Sequence, residues 1–200
     1  MIRKTVLALM LAAAGVNAHA ALSAGDIAFT SFNADEDGLS FVTFKNIDAN
    51  TTIFFSDNEW GGSAFNTGES YNQWNSGSSQ IDAGSVIRFS AYDKTTLSAS
   101  TGTLSRVTVA SNTNWGISTT ADTIYAYLGS SATAPTTFLS AISNATDGSL
   151  VGTGLTEGTN AIRLNSIATG ATPDYAEYNG ARSGAASFDA YKAQVNNVAN

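Results

Sequence analysis

The sequence predicts an all-β sandwich that ends in one short helix. Three observations support this fold class. Gly, Ser, Thr and Asn are abundant, aromatic and β-branched residues occur in short runs, and several of these runs alternate between apolar and polar residues. Alternation with a period of two gives each strand one face for a core between two sheets.

Nine segments are predicted as strands because each is a short apolar or alternating run between turn residues. An apolar run on both faces, as in TTIFF at 51–55, predicts a strand at the centre of a sheet. In the segment 123–129, Tyr125 and Tyr127 are expected on a polar face, opposite the aliphatic residues. The nine segments are residues 26–32, 39–46, 51–57, 85–91, 104–110, 123–129, 137–143, 160–164 and 174–178.

One segment near the end of the chain has helical rather than strand periodicity. In SGAASFDAYKAQVNNV, residues 183–198, the side chains of Phe188, Tyr191 and Val195 recur at helical spacing. A terminal helix is therefore expected at about 185–197, with its aromatic stripe packed on the sandwich.

The first twenty residues have the pattern of a cleaved secretory signal. Arg3 and Lys4 precede the apolar run 5–16, and Ala18 and Ala20 give the small-x-small cleavage pattern. That run is shorter than the roughly 20 residues that span a bilayer, and no second long apolar run follows it. The sequence predicts export by the Sec pathway to the extracellular space or cell surface, no transmembrane segment, and a single domain at 21–200.

Removal of this signal narrows the chemistry that the chain can perform. The chain has no cysteine, and its one histidine, His19, belongs to the signal. The mature chain therefore lacks the residues for a Ser-His-Asp or Cys-His nucleophile and for a His or Cys zinc site. A protein without enzymatic activity is expected.

The charge balance is acidic. The chain has 9 basic and 16 acidic residues, and without Arg3 and Lys4 the balance is 7 against 16, or −9. A nucleic-acid partner needs a basic surface, so none is expected. The excess of carboxylates is compatible with cation binding and with solubility.

The stretch NADEDG, residues 33–38, has two interpretations. Asn33, Asp35 and Asp37 stand at alternate positions before a glycine, as in the first half of an EF-hand loop. The twelfth position is Phe44 rather than a bidentate glutamate, so the loop is not an EF-hand. It is either a hairpin turn, which is favoured, or a Ca²⁺ site formed by these three residues with a second loop.

The loop that follows 51–57 contains a second group of acids. Asp57, Glu59 and Glu69 are candidates for a cation site, and Glu59 with Glu69 for an acid/base pair of the kind that glycosidases use. Solvated carboxylates with a structural role are the more common outcome for two acids in one loop.

Four aromatic residues in and after the same loop are candidates for stacking on a sugar: Trp60, Phe65, Tyr71 and Trp74. The favoured alternative is that these large rings fill one end of the sandwich. Further along, Arg182 between two glycines is expected to pair with a carboxylate, to cap the start of the helix, or to form an anion site.

Several motifs resemble an uncharacterised family of secreted bacterial proteins. The matching stretches are GDIAFTSFNADEDGLSFVTFKNIDANTTIFFSDNEWGGSAFNTGE, AGSVIRF, GTNAIRL and YKAQVNN. The resemblance covers nearly the whole mature chain and implies a lamin-tail-like, immunoglobulin-like β-sandwich. In this family the domain stands alone, often with a PEP-CTERM sorting tail that this chain lacks, or precedes extracellular nucleases and phosphatases. It carries no catalytic residues.

Three functions remain as hypotheses at this point. The leading one is a secreted, non-enzymatic module for surface, matrix or adhesion-type interactions with an extracellular partner. This hypothesis includes the option that a bound Ca²⁺ stabilises the module. The second is the accessory or targeting domain of a secreted hydrolase. The third is a glycan-binding or carboxylate-dependent glycan-hydrolysing domain that uses Glu59, Glu69 and the tryptophan loop.

Overall fold

A computed structural model describes residues 21–109, 114–146, 148–166 and 172–200. The predicted signal peptide at 1–20 lies outside these residues, as does the last residue of the predicted strand 104–110. The described residues form eleven strands, a 3₁₀ turn (Leu164–Ser166) and one α-helix. They are β1 (Ile27–Asn33), β2 (Gly38–Thr43), β3 (Thr52–Ser56), β4 (Tyr71–Asn75), β5 (Val86–Ser90), β6 (Ser98–Ala99), β7 (Thr103–Arg106), β8 (Thr123–Ser131), β9 (Ala134–Ser143), β10 (Ala161–Arg163), β11 (Tyr175–Glu177) and α1 (Phe188–Val195).

The strands form two sheets. The five-stranded sheet has the order β11-β1-β2-β5-β6, and the six-stranded sheet has the order β10-β9-β8-β3-β4-β7. Neighbouring strands among the described residues pair antiparallel, except β9 with β10, which are parallel. The all-β sandwich with one short C-terminal helix is thus confirmed, and each of the nine predicted segments contains a strand.

The main core lies between the two sheets. In β5, Ile87 and Phe89 are buried while their neighbours are exposed, as the alternation predicted. Phe41 lies at the centre of this core, with its ring centroid 5.5 Å from that of Trp74 and 5.7 Å from that of Phe55. Burial of these rings removes large apolar areas from water and stabilises the sandwich.

The outer face of the six-stranded sheet carries a second apolar cluster. On β3, Phe55 points into the main core while Phe54 points outward, and Tyr125 and Tyr127 of β8 also point outward. These tyrosines are fully buried, so the prediction of a polar face was wrong. Their rings pack under the loops at 57–70 and 148–160, and each hydroxyl donates to a backbone carbonyl, so the polar atom is satisfied.

The strands at the edges of both sheets are short. In the five-stranded sheet β11 has 3 residues and β6 has 2. In the six-stranded sheet β10 has 3 residues and β7 has 4. Short edges leave few unpaired backbone groups on which another chain could add a strand.

Candidate functional site

NADEDG forms the hairpin loop between β1 and β2. Asn33 pairs with Gly38, and the Oδ1 of Asn33 accepts a hydrogen bond from the N–H of Glu36 at 3.0 Å. The Oδ1 of Asp37 accepts one from the N–H of Ile117 at 2.6 Å. Asp37 has a φ of +50°, the left-handed conformation that Asn and Asp tolerate in turns. These bonds to the backbone support the turn interpretation, which requires no ion.

Asp57 closes the base of the loop at 57–70. Its carboxylate is fully buried, and Oδ1 accepts hydrogen bonds from the N–H of Ser70 at 2.6 Å and from its hydroxyl at 2.8 Å. The side chain of Asn58 accepts a third bond, from the N–H of Glu69 at 3.1 Å. These contacts tie the end of β3 to the start of β4, so Asp57 has a structural position.

Burial also changes the acidity of Asp57. The pKa of its carboxyl group is raised to about 8: desolvation by burial raises it most, the hydrogen bonds from Ser70 lower it, and the charge of Glu69 raises it. In the described part of the chain, Oδ2 has no hydrogen-bond partner. A protonated carboxyl group that is buried in this way has no access to a substrate.

Glu59 and Glu69, the other two acids of this loop, each have a neighbour within the loop. Glu59 accepts a hydrogen bond from the side chain of Asn66, while Glu69 is a charged neighbour of Asp57. Among the described residues, no three His, Cys, Asp or Glu side chains are grouped closely enough to hold a metal ion. A cation site formed by Asp57, Glu59 and Glu69 stays a prediction.

The candidate aromatic residues lie inside the protein. Trp74 belongs to the main core and donates its indole N–H to the carbonyl of Thr101 at 2.7 Å. Trp60 and Tyr71 belong to the second apolar cluster, where the ring of Phe138 lies 5.0 Å from that of Trp60. The burial of these three residues fits the alternative that the rings fill the protein, and Phe65, which packs against the second cluster, is half-buried.

A groove opens instead on the outer face of the five-stranded sheet, and we call it the outer-face groove. Its volume is about 230 Å³. Side chains of β1, β2 and β5 and of the residues near them form the floor, α1 forms one wall, and the segment after β11 forms the other. The lining residues are Thr30, Ser40, Val42, Phe44, Gly84, Val86, Glu177, Tyr178, Ala181, Arg182, Phe188, Tyr191 and Val195.

Strand alternation places the floor of this groove. Because Phe41 and Ile87 point into the main core, their neighbours Val42 and Val86 point outward. Val86 remains 56% exposed, which is unusual for a large apolar side chain in a strand.

The helix α1 is fixed at both of its ends. Ser187 caps its start by accepting a hydrogen bond from the N–H of Ala190 at 3.2 Å. At the other end Val195 packs on Ala28 and Phe44 of the five-stranded sheet. Phe188, in contrast, is 44% exposed. The predicted aromatic stripe thus packs fully only at its last position and is open to solvent at its first.

Three hydroxyl groups meet at one end of the floor. The Oγ of Ser40 lies 2.8 Å from the Oγ1 of Thr30 and 2.6 Å from the Oγ of Ser31. Two hydrogen bonds use two of the three hydroxyl protons, so one O–H remains to donate to another acceptor. Thr30 and Ser40 both line the groove.

Charged groups stand at the rim of the groove. Arg182 donates from Nη2 to the carboxylate of Glu177 at 3.2 Å and to the carbonyl of Tyr178 at 3.3 Å. The predicted pairing of Arg182 with a carboxylate is thus confirmed. Hydrogen bonds from Tyr175 and Arg182 lower the pKa of Glu177, so this carboxylate stays ionised. Arg88 on β5 lies close enough to act on the same carboxylate.

A second group of charges stands at the Phe44 end. The Nζ of Lys192 lies 5.9 Å from the centre of the Phe44 ring and 3.9 Å from a carboxylate oxygen of Asp26. The ammonium of Lys45 lies 3.6 Å from the same carboxylate, and Lys192 also faces Asp189 at 4.0 Å. Arg182 and Glu177 line the groove, and the other charges, on Arg88, Lys45, Lys192, Asp26 and Asp189, stand around it.

Sequence reasoning missed this groove because its residues come from distant segments of the chain. One signal was present: Val42, Phe44 and Val86 are apolar residues at positions where alternation predicts an outward, polar face. Apolar side chains on the outward face of a strand indicate a second packing surface or a binding surface.

Comparisons with protein-family models, curated proteins and solved structures find no match for this chain. The resemblance to the lamin-tail-like family stays a prediction. Within the described residues, no helix is long and apolar enough to cross a membrane.

Proposed function

We propose that this protein is an exported, non-enzymatic binding module whose ligand occupies the outer-face groove. One observation carries the proposal: Val86 and Phe188 are 56% and 44% exposed and line the same concave surface. Apolar side chains in a concavity with a few polar groups at its rim are typical of a ligand site. Surface, matrix or adhesion-type interactions are the roles that such a module serves.

The candidate acids support binding over catalysis. Asp57 is buried and clamps its own loop, and Glu177 at the groove rim is engaged by Arg182 and Tyr175. The groove lining contains no histidine, cysteine or aspartate. The burial of Trp60 and Trp74 argues against the glycan-binding alternative, which requires exposed rings.

The affinity expected for this groove is modest. Full burial of one Val or Phe side chain contributes about 1.5 to 3 kcal/mol, and both residues here already have part of their surface covered. A small ligand that covers the remainder is expected to bind with a Kd between about 0.1 and 10 mM. Such an affinity suits a ligand that is abundant outside the cell or presented in many copies.

The test uses benzyl alcohol, a neutral aromatic probe, added to the isotope-labelled protein purified from expression of the full chain. We expect the amide and methyl signals of Val42, Val86 and Phe188 to shift with saturating dependence on the probe. Val86→Trp fills the groove and should abolish these shifts. Val151→Trp is the matched control, since Val151 is 73% exposed and does not line the groove.

Two outcomes would overturn the proposal. One is that benzyl alcohol shifts no groove signal at concentrations up to the solubility limit. The other is that the groove signals shift equally in the protein with Val86→Trp, which would place the probe elsewhere.

A further inference from the structure

We infer that the ligand of the outer-face groove is a small amphipathic carboxylate, with a single aromatic ring or short branched chain as its body. This inference rests on the proposed function and adds the chemical class of the ligand. It follows from the size of the groove, from the position of its apolar residues, and from an excess of hydrogen-bond donors and positive charge around it.

The size of the groove limits the body of the ligand. A volume of about 230 Å³ equals the volume of roughly eight water molecules in the liquid. Sites for drug-sized ligands range from about 300 to 1,000 Å³. The groove itself therefore accommodates one ring or a short branched chain, and a longer ligand would extend into a wider depression of about 640 Å³ that adjoins it at Thr30, Glu177 and Arg182.

The apolar part of the groove receives this body. Val42 and Val86 form its floor and the ring of Phe188 stands at its side. Gly84 keeps the floor low beside Phe188: a Cβ at this position would lie 3.5 Å from the Phe188 ring. A ligand ring placed here would cover the exposed parts of Val86 and Phe188 together.

Arg182 supplies the contact for a carboxylate. Within the described residues its guanidinium donates from Nη2, so the donors on Nη1 and Nε remain for a ligand. The planar guanidinium group matches the two oxygens of a carboxylate. Glu177 holds the guanidinium at the rim through the 3.2 Å contact and reduces the conformational freedom that binding would otherwise remove.

The other polar groups of the groove also favour a ligand that accepts hydrogen bonds. The hydroxyls of Thr30, Ser31 and Ser40 have one proton more than their mutual bonds use. Arg88 adds a further positive charge near Glu177. At this rim a cationic ligand would meet two guanidinium groups, those of Arg88 and Arg182, and the single carboxylate of Glu177, so it would be repelled more than it is attracted.

Three probes with similar bodies and different charges test the inference: phenylacetate, phenylacetamide and 2-phenylethylamine. We expect phenylacetate to bind the groove more tightly than phenylacetamide, by up to about fivefold, because an exposed ion pair contributes up to about 1 kcal/mol. The amine should bind most weakly. The Kd values come from the same shifts of the Val42, Val86 and Phe188 signals at low salt.

A charge-removing variant locates the carboxylate. Arg182→Gln should remove the preference for phenylacetate over phenylacetamide and leave the affinity for benzyl alcohol unchanged. Lys94→Gln is the matched control because it removes the same charge at an exposed residue that does not line the groove. This control should keep the full preference.

Each failure has a distinct meaning. Equal affinities for the three probes would overturn this inference and leave the proposed groove function standing. Absence of binding by all three probes and by benzyl alcohol would overturn both. A preference that survives Arg182→Gln would overturn the assignment of Arg182. Binding to phosphatidylglycerol vesicles without binding of phenylacetate would replace the small carboxylate with a lipid surface.

Discussion

The outer faces of the two sheets differ in how they are covered. On the six-stranded sheet, the rings of Phe54, Tyr125 and Tyr127 lie under two long loops, and both tyrosines contact Phe138, which in turn contacts Trp60. On the five-stranded sheet, a single helix of 8 residues covers part of the surface and leaves the outer-face groove. The covered face is a second core, while the other face is open at its centre.

The difference separates stability from recognition. Aromatic rings that are buried on every side contribute packing energy and cannot contact a ligand. Side chains that are half exposed in a concavity contribute less to stability and keep part of their surface for a partner. Substitutions on the covered face should therefore lower the unfolding free energy and leave binding unchanged. Substitutions on the open face should weaken binding at little cost in unfolding free energy.

The largest effect is expected from a matched pair of phenylalanine substitutions. Phe138→Ala on the covered face removes a buried ring that contacts Trp60 and Tyr127, and it should lower the unfolding free energy by about 3 to 5 kcal/mol. Phe188→Ala on the open face should cost less than about 1 kcal/mol and should weaken benzyl alcohol binding. Urea unfolding measures both. Equal costs for the two substitutions would contradict the comparison.

A pH dependence is expected from the covered face. The pKa of Asp57 is about 8 in the folded protein, above its ordinary value of 3.8. Between these values the folded state holds a proton that the unfolded state has lost. The contribution of Asp57 to the unfolding free energy is thus fully present below about pH 4. It falls by a few kcal/mol as the pH rises to about 8.

Asp57→Asn tests this dependence because the amide keeps the oxygen that accepts from Ser70. Urea unfolding at several pH values should show a slope for the natural protein and a flatter profile for the variant. If the profile of the Asp57→Asn variant keeps the same slope, other groups near Asp57 cause the pH dependence. That result would refute its assignment to Asp57. Those groups are Glu69, Tyr71, Tyr92, Arg106 and Asp122.

A pair of glycine substitutions tests how tightly the loop at 148–160 packs on the outer face of the six-stranded sheet. Gly148 has a φ of +69°, and a Cβ there would lie 2.4 Å from the hydroxyl oxygen of Tyr125. Gly154 has a φ of +75° and open space around it. Both changes to Ala cost about 1 to 2 kcal/mol for the backbone conformation, and Gly148→Ala should cost about 1 to 3 kcal/mol more. Equal melting temperatures for the two variants would show that the loop at 148–160 does not pack tightly on Tyr125.

The smallest effect is expected at the NADEDG turn. Because Asn33 and Asp37 bond to backbone N–H groups, Asp35→Asn should change the unfolding free energy by less than about 0.5 kcal/mol. Added calcium should leave the melting temperature unchanged. A rise of several degrees that Asp35→Asn with Asp37→Asn abolishes would instead restore the calcium interpretation.

Most strands could be predicted from the sequence because their alternation is local. β4 was missed because YNQWN contains two asparagines and a glutamine and follows a run of loop residues. Only its pairing with β3 and β7 makes it a strand. β6 has two residues, which is too short for a periodic pattern.

The candidate site was harder to predict than the fold. The acids and tryptophans that suggested chemistry are clustered in the sequence, and their clustering reflects the closure of one loop by Asp57 and Ser70. The groove residues are dispersed, and Val42, Val86 and Phe188 meet only through strand pairing and helix docking. Polar tyrosines were assigned to solvent because a sequence does not show that their hydroxyls reach carbonyl groups.

The position of the groove walls in the chain has a consequence for folding. β11 pairs with β1 through contacts such as Ser31 with Glu177, and α1 follows β11. The β8–β9 hairpin, in contrast, forms from neighbouring segments and can assemble early. Along the chain, the strands of the groove floor precede the segments that form its walls. A ligand can therefore bind in the groove only after β11 and α1 have docked. A chain truncated before β11 would leave the apolar floor exposed and prone to aggregation.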